Sequence, residues 1–214
     1  MRASANEEKR RTLVDTIVGE SRRLNRLIRD LSDVARLSTG GFRIDPVEVD
    51  LAALVADQAN AARQTAPDHT IMYAGPPAGV PLVCDPDRVA QVIANLLSNA
   101  VKYTPGGTVR VSLSAAADRA AIAVSDEGPG IPAERREAIF EPHVRLIRME
   151  SGKEPQGTGL GLYIARGIAE AHGGQLWVDS GENGGSTFTL TLPLRAAHGD
   201  DTERTSLVDT AFQQ

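Results

Sequence analysis

Residues 95–105, with the sequence NLLSNAVKYTP, decide how the rest of the chain is interpreted. Asn95 and Asn99 are four residues apart, so in a helix they lie one turn apart on the same face. Two neighbouring carboxamide oxygens suit a hard cation such as Mg²⁺. Lys102 and Tyr103 follow, an ammonium group suited to phosphate and a flat ring suited to a base. The same stretch also fits a capped surface helix with two solvated amides, so its meaning depends on its neighbours.

The residues before this stretch predict where its helix begins. Asp85 and Pro86 have the chemistry of an N-cap and of a first helical residue. Pro105 and the two glycines after it end the helix. Apolar residues at helical spacing form the rest of its surface: Val89, Val92, Ile93, Leu96, Leu97, Ala100 and Val101. We therefore expect an amphipathic helix with the two asparagines beside its apolar stripe.

The bulk composition of the 214 residues limits the function. A hydrophobic content of 41% and a charged content of 24% are typical of a soluble globular protein, and the net charge of −5 argues against a nucleic-acid surface. The only cysteine, Cys84, excludes an internal disulfide and a cysteine-based zinc site, and it fits a reducing compartment. We find no apolar run of membrane-spanning length and no signal peptide. These features predict a cytoplasmic protein.

The first part of the chain, residues 7–37, predicts one long amphipathic helix that Gly40 and Gly41 end. Its apolar residues recur at intervals of three and four: Leu13, Ile17, Leu24, Leu27, Ile28, Leu31, Val34 and Leu37. A helix of this size is roughly 45 Å long, more than most compact domains need. We expect a helix-bundle or coiled-coil contact with another chain, the alternative being a helix that lies on its own domain's sheet.

The remaining pattern mixes helices with antiparallel hairpins. Helices are expected over 50–63, 134–139 and 160–172, in addition to the one that carries the asparagines, and strands over 70–74, 82–84, 109–115, 120–126, 175–180 and 187–193. Residues 144–156 are polar and predict a mobile loop. Few β-α-β units are present. The fold class is therefore α+β, a two-layer sandwich in which one mixed sheet carries helices on one face.

Two glycine-rich turns bear on chemistry. Asp126 ends a strand in the sequence DEGPGI, where a carboxylate can accept from an exocyclic amine while glycine backbone approaches a ring closely. That turn alone also fits an ordinary Asp-Gly turn. Residues 157–161, GTGLG, open a helix, and successive N–H groups there suit phosphates. No Gly-Lys-Ser/Thr follows and no strand precedes, so the turn is neither a Walker A nor a Rossmann motif.

Taken together, the motifs resemble the ATP-binding domain of sensor histidine kinases, within the superfamily of the Bergerat fold that includes DNA gyrase. The resemblance covers roughly residues 45–194. It rests on five segments: DPDRVAQVIANLLSNAVKYTP, similar to the N box; DEGPGIP, to the first glycine box; IFEPHVRL, to the F box; GTGLGLYIARGIAEAHGG, to the second glycine box; and GGSTFTLTLP, to the closing strand.

The resemblance implies a role for each site residue. Asn99 would bind Mg²⁺ with support from Asn95, Lys102 would contact the ATP phosphates, and Tyr103 would lie along the adenine. Asp126 would read the adenine amino group. The remaining expected contacts are Thr187 to the same amino group through a water, Gly128 and Gly130 around the base, Gly157, Thr158, Gly159, Leu160 and Gly161 around the phosphates, and Arg145 at the triphosphate.

Asn95 distinguishes between activities within the superfamily. The ATPase members are similar here but have a glutamate at this position, which activates water. An amide cannot act as a general base at neutral pH. We therefore expect ATP to be held for phosphoryl transfer, with positioning and charge neutralisation by Asn95, Lys102 and Arg145. His143, where the F box usually has phenylalanine, is a departure that we interpret as a tolerated surface residue.

The front of the chain departs further from the resemblance. Residues 7–37 are similar to the second helix of a kinase dimerisation hairpin, but none of the four histidines, at 69, 143, 172 and 198, has the context of a phosphorylated one. This predicts transfer to a histidine on another polypeptide, the chain being a split subunit or a fragment, with a response regulator downstream. The expected domains are a partial dimerisation helix over 1–40, a catalytic domain over 41–195 and a flexible tail over 196–214.

Three other functions remain open on the sequence alone. The chain could be an ATP-binding dimerisation or scaffold module without transferase activity. A slow ATPase is a second alternative, against which Asn95 argues. A serine kinase of the anti-sigma-factor type shares the pocket but usually lacks the long first helix.

Overall fold

The computed structural model describes residues 2–116, 118–144, 158–181 and 184–194. Its helices are α1 (Arg2–Ser38), α2 (Leu51–Thr65), α3 (Pro86–Tyr103) and α4 (Gly161–Ala171). Its strands are β1 (Val47–Asp50), β2 (His69–Ala74), β3 (Pro81–Cys84), β4 (Gly107–Ala116), β5 (Arg119–Asp126), β6 (Gln175–Gly181) and β7 (Gly184–Pro193). The predicted tail over 196–214 lies outside the described residues, and so does the predicted loop over 144–156 except for Val144.

The two-layer α+β prediction is confirmed. Five strands form a mixed sheet in the order β2-β4-β5-β7-β6, in which only β2 and β4 run parallel. The helices α2, α3 and α4 pack on this sheet. The alternating pattern of β4 shows why: Val109, Val111 and Leu113 are buried, whereas the residues between them are not. One face of the sheet is thus the core, and the other carries mostly small and polar side chains together with the exposed Met72 and Trp177.

Two local predictions were wrong. The sheet is not single, because β3 pairs with β1 in a separate antiparallel ribbon. A turn containing Pro76 and Pro77 separates β3 from β2, and β3 itself begins at a proline, which has no N–H to donate. The expected helix over 134–139 consists of two short 3₁₀ turns, Ala133–Arg135 and Ala138–Phe140. The segment is too short to propagate an α-helix, and its last two residues are buried in the core.

The start of α3 is attached to its surroundings by Asp85. Its carboxylate caps the helix by accepting from the Arg88 N–H at 3.1 Å and also accepts from the Asp45 N–H at 3.0 Å. The Asp85 N–H donates to Nε2 of His172 at 3.0 Å, while Nδ1 of His172 lies 2.8 Å from the Ile168 carbonyl. His172 therefore joins the start of α3 to the end of α4, which keeps these two helices side by side.

The C-terminal end of α1 packs on the domain, whereas apolar residues in the earlier part of the helix are exposed. Its last turns contact α4, where Leu37 lies so close to Gly167 that a Cβ at that glycine would be 2.5 Å from the Leu37 side chain. Further back, four apolar residues at intervals of seven, four and three point into solvent: Ile17, Leu24, Ile28 and Leu31, each between 59% and 66% exposed. We call these four residues the seam. Among the described residues, no helix has the length and apolar character to cross a membrane.

Candidate functional site

The two asparagines lie half-buried on α3, and Asn95 contacts the start of α4. The amide nitrogen of Asn95 donates to the Gly161 carbonyl at 3.2 Å, and no donor to its oxygen is found among the described residues. The Asn99 side chain has no hydrogen-bond partner among the residues that the structure describes. Two carboxamide oxygens one turn apart fit the oxygen ligands that Mg²⁺ prefers. Within the described part of the chain, no cluster of three histidine, cysteine or acidic residues offers another metal site.

The end of α3 carries a cation and an aromatic ring. The ammonium group of Lys102 lies 3.2 Å from the Tyr103 hydroxyl and 4.8 Å from the centre of its ring. Lys102 is exposed, and Tyr103 is partly buried. The last turn of α3 thus presents a flexible positive charge beside an apolar ring, which suits a ligand with both phosphate and base.

Asp126 lies at the end of β5, close to the end of α3 and to Thr104, which follows that helix. Its carboxylate accepts from the Gly128 N–H at 2.8 Å, and Ser186 is the residue paired with Asp126 across β5 and β7. A Cβ at Gly128 would lie 2.7 Å from the carboxylate and 3.1 Å from the Tyr103 carbonyl. Glycine is therefore required for the turn to pass between Asp126 and the end of α3. The buried Thr104 hydroxyl lies beside the same carboxylate without a well-formed hydrogen bond.

The environment of Asp126 changes its acidity. Burial raises the pKa of its carboxyl above the ordinary value, and the N–H groups of Gly128 and Ser186 and the Thr104 hydroxyl partly offset that rise. A carboxylate in such surroundings needs a further donor for its charge. An exocyclic amine of a base placed beside Tyr103 would supply one.

The loop after Asp126 is held against the start of β7. The Gly185 N–H donates to the Gly128 carbonyl at 2.7 Å, and a Cβ at Gly185 would lie 2.6 Å from the Asp126 carbonyl. Both Gly130 and Gly185 have positive φ, 75° and 77°. The close approach of two backbone segments makes a flat wall with no side chains, against which a planar group can stack.

The second glycine turn forms the start of α4. Gly159 has φ of 72°, its carbonyl accepts from the His143 N–H at 3.0 Å, and a Cβ there would lie 3.0 Å from the His143 backbone. Leu160 is buried, and its N–H lies 3.3 Å from the Thr158 hydroxyl. In the described residues no side chain caps α4. The first N–H groups of α4 therefore remain available to an anion, and they lie beside Asn95.

The structure brings most of the predicted site residues together and leaves some outside. Asn95 meets Gly161, and Tyr103 meets Gly128 beside Asp126. The contact of Thr187 with a base through a water stays a prediction. Thr187 bonds to the Ser125 hydroxyl at 2.9 Å on the outer face of the sheet, because strand residues alternate between faces. Its neighbour Ser186 is the buried residue on the Asp126 side. Arg145 and Gly157 lie outside the described residues.

Three neighbours of the candidate site were not predicted from the sequence. Buried and exposed residues alternate along β7, and Phe188, Leu190 and Leu192 are buried. This alternation would have identified Ser186 as a buried residue on the same face. No local pattern indicated Thr104, which becomes important only when β5 ends beside it. Likewise, Nε2 of His69 lies 2.8 Å from the Thr104 carbonyl, a contact between residues 35 positions apart in the chain. His69 thus holds the backbone that passes the site.

The comparisons with known proteins agree with this geometry. Residues 84–196 match the family model described as histidine kinase-, DNA gyrase B- and HSP90-like ATPase. The chain is 40% identical over 175 residues to the adaptive-response sensory kinase SasA of Microcystis aeruginosa, covering 80% of this chain and 45% of that protein. The SasA of Gloeothece citriformis is 51% identical over 116 residues, 53% of this chain and 29% of that one. The chain thus spans less than half the length of these curated relatives.

Solved structures show the same fold. A full-length ShkA in complex with AMPPNP superposes with a TM-score of 0.70 and 29% identity, over 82% of this chain and 36% of that one. The mycobacterial sensor histidine kinase MprB gives a TM-score of 0.62 and 26% identity, over 71% of this chain and 99% of that one. On the family match and the shared fold, this chain belongs to the histidine kinase-, DNA gyrase B- and HSP90-like ATPase family.

Proposed function

We propose that this chain is the ATP-binding catalytic component of a two-component histidine kinase, and that it transfers the γ-phosphoryl group of Mg·ATP to a histidine outside this sequence. The observation that carries the proposal is the contact of Asn95 with the Gly161 carbonyl. It brings the asparagine pair of α3 to the uncapped start of α4. The relatives support the transfer, since those named above are described as sensory kinases.

The nucleotide would lie between α3, α4 and the end of β5. Asp126 accepts from the adenine amino group, Tyr103 covers the ring, and the Gly128–Gly185 backbone forms the opposite wall. Lys102 and the free N–H groups of α4 hold the phosphates. We also assign Thr158, Gly159 and Leu160 to the phosphate turn, and Arg145 and Gly157 to the part of it outside the described residues.

The metal would be held by Asn99, with Asn95 beside it. A magnesium ion bound here neutralises phosphate charge during transfer. Asn95 orients its oxygen toward that place because its nitrogen is already bonded to Gly161. Neither residue can remove a proton from water at neutral pH, so the site favours transfer over hydrolysis.

The acceptor is assigned to another polypeptide because the described histidines have other roles. His69 and His172 each bond to backbone groups inside the domain. His143 is exposed but sits in a turn with φ of 65°, bonded through its N–H to Gly159, with no helix around it. His198 lies outside the described residues. A helical partner that carries a histidine fits the seam of α1, whose spacing matches a coiled-coil face.

This proposal includes the wider arrangement. Residues 1–40 form a partial dimerisation helix and residues 41–195 the catalytic domain, followed by a tail over 196–214. A response regulator receives the phosphoryl group from the partner's histidine. The site would use ATP, and Cys84 is a free buried thiol, so both fit the reducing cytoplasm.

The test is transfer of labelled phosphate from ATP. The full chain is mixed with a histidine-bearing dimerisation protein that is encoded nearby or taken from a relative. We expect label on the partner's histidine, and we expect Asn99→Ala to abolish it. Ser98→Ala, a neighbouring exposed position on α3, is the matched control and should retain transfer.

Two results would contradict the proposal. Tight nucleotide binding with no transfer to any partner would favour a scaffold module. Steady release of inorganic phosphate from the chain alone would favour an ATPase.

A further inference from the structure

Asp33 is a buried carboxylate on a helix that is otherwise largely open to solvent. Only 4% of its surface is exposed, although residues on either side of it in α1 are exposed or half-exposed. One of its oxygens, Oδ2, accepts from Arg88 Nη1 at 2.9 Å and from Gln91 Nε2 at 3.1 Å. Both partners lie on α3. The carboxylate is thus a point of attachment between the first helix and the helix that carries the asparagines.

The attachment is reinforced around Arg88. Its Nη1 also donates to Gln91 Oε1 at 2.9 Å, so the two α3 side chains are joined to each other as well as to Asp33. The guanidinium group lies 5.0 Å from the centre of the Phe42 ring. Phe42 belongs to the segment that leaves α1. A buried carboxylate is stable only with an opposite charge and hydrogen-bond donors beside it, and removing Asp33 takes away the counter-charge of Arg88.

The position of this contact on α3 connects it to the nucleotide site. Arg88, Gln91, Asn95 and Asn99 follow one another at intervals of three, four and four, which places all of them on one face of the helix. The Asp33 contact is therefore one helical turn from Asn95. Asn95 in turn bonds to the first residue of α4.

The same end of α1 also touches α4. Leu37, one turn after Asp33, packs against Gly167, where a Cβ would lie 2.5 Å from the Leu37 side chain. Therefore α1 contacts both helices that form the metal and phosphate side of the site. A change in the docking of α1 would alter where α3 stands relative to the start of α4.

We propose that Asp33 is a positioning residue for the metal and phosphate side of the site. Through Arg88 and Gln91 it holds the asparagine face of α3 in register with α4, so that the docking of α1 sets the affinity for metal-bound nucleotide. Movement of α1 by a partner on the seam would act on the site by this route. The inference rests on the proposed function and adds a means of its regulation.

The experiment compares two ligands on the full chain. Mg·AMPPNP uses the metal and phosphate side, whereas adenosine uses only the Asp126 side. Asp33→Ala should weaken Mg·AMPPNP by about tenfold, the scale on which residues supporting a metal ligand act, and leave adenosine binding unchanged. Asp30→Asn, one turn earlier on α1, is the control and should change neither affinity. A merely structural loss would weaken both ligands together.

Folding is measured first by thermal unfolding of each variant. If Asp33→Ala does not fold, Asp33→Asn, which keeps the shape and one acceptor oxygen, is the deciding variant and should weaken Mg·AMPPNP selectively. Equal affinities in a folded Asp33 variant and the wild type would overturn the inference while leaving the proposed function intact. No nucleotide binding by the wild type would instead contradict the proposed function itself.

Discussion

Asp126 combines two requirements that oppose each other. Its carboxylate lies in a pocket that raises its pKa through burial, yet the contact that we propose with an adenine amine requires the ionised form. Because the folded state holds the proton more tightly than the unfolded chain does, this group favours folding below the unfolded pKa, and that contribution is lost as the pH rises through the folded pKa. On the proposed function, nucleotide binding has the opposite pH dependence, since it needs the ionised carboxylate.

We therefore predict that affinity for the nucleotide falls on acidification through the raised pKa of Asp126, beginning above the pH at which an ordinary aspartate would titrate. Asp126→Asn should bind more weakly at neutral pH and lose this dependence. Fluorescent-nucleotide titrations between about pH 4.5 and pH 8 measure both curves. Parallel curves for the wild type and the variant would show that another group titrates.

Single residues also show where sequence reasoning succeeded and where it failed. The N-cap role of Asp85 was predictable because it depends on residues next to it in the chain. Ser186 was not predicted as a neighbour of Asp126, although the alternation of buried residues along β7 places it on the same face of the sheet. Thr104 and His69 could not be predicted, since their contacts join residues that are adjacent only after folding.

At the scale of elements, the pairing of α3 with α4 depends on His172. The Nε2 atom of His172 accepts a hydrogen bond from the partly buried Asp85 N–H. Within the described residues, no other acceptor is found for this N–H. We predict that His172→Ala lowers the free energy of unfolding by about 2 kcal/mol, because a buried donor would be left unpaired and the contact to Ile168 lost. Urea denaturation measures the change. The exposed His143, replaced by asparagine, should leave the midpoint nearly unchanged.

The helix α1 permits a prediction about its seam. Leu24 is 59% exposed and lies in the middle of the four seam residues. Leu24→Glu should weaken association with a histidine-bearing helical partner by at least about tenfold, because a charge would enter an apolar helix interface.

Association is measured by analytical ultracentrifugation or by titration with the partner. Arg29→Glu, an exposed change on the same helix away from the seam, is the control. Equal weakening by both variants would mean that net charge, and not the seam, governs the association.

Elements were predicted with uneven success for physical reasons. Periodicity located α1, α2, α3 and α4 and the strands of the main sheet to within a few residues, since one face of each must be buried. It could not reveal that β3 pairs with β1, because four-residue strands carry no information about their partner. Periodicity also predicted an α-helix where two 3₁₀ turns are found. An α-helix and a 3₁₀ turn would each bury Ile139 and Phe140 in the core, so the pattern does not distinguish them.

For the whole molecule, the central claim is that the ends of α3 and β5 and the start of α4 form one site for Mg·ATP. The order of the motifs allowed the fold and the candidate site to be predicted together, since the motifs lie on five segments that are separated in the chain. The docking of α1 could not be predicted in the same way. It depends on Asp33, whose partners lie 55 and 58 residues away in the chain.

Isothermal titration calorimetry of the full chain with AMPPNP, in the presence and absence of Mg²⁺, tests this claim most directly. We predict one nucleotide bound per chain, with affinity that depends on Mg²⁺ in the wild type, that loses this dependence in Asn99→Ala and that is reduced in Asp126→Asn. Absence of binding by the folded wild type, or equal binding by all three proteins, would contradict the account.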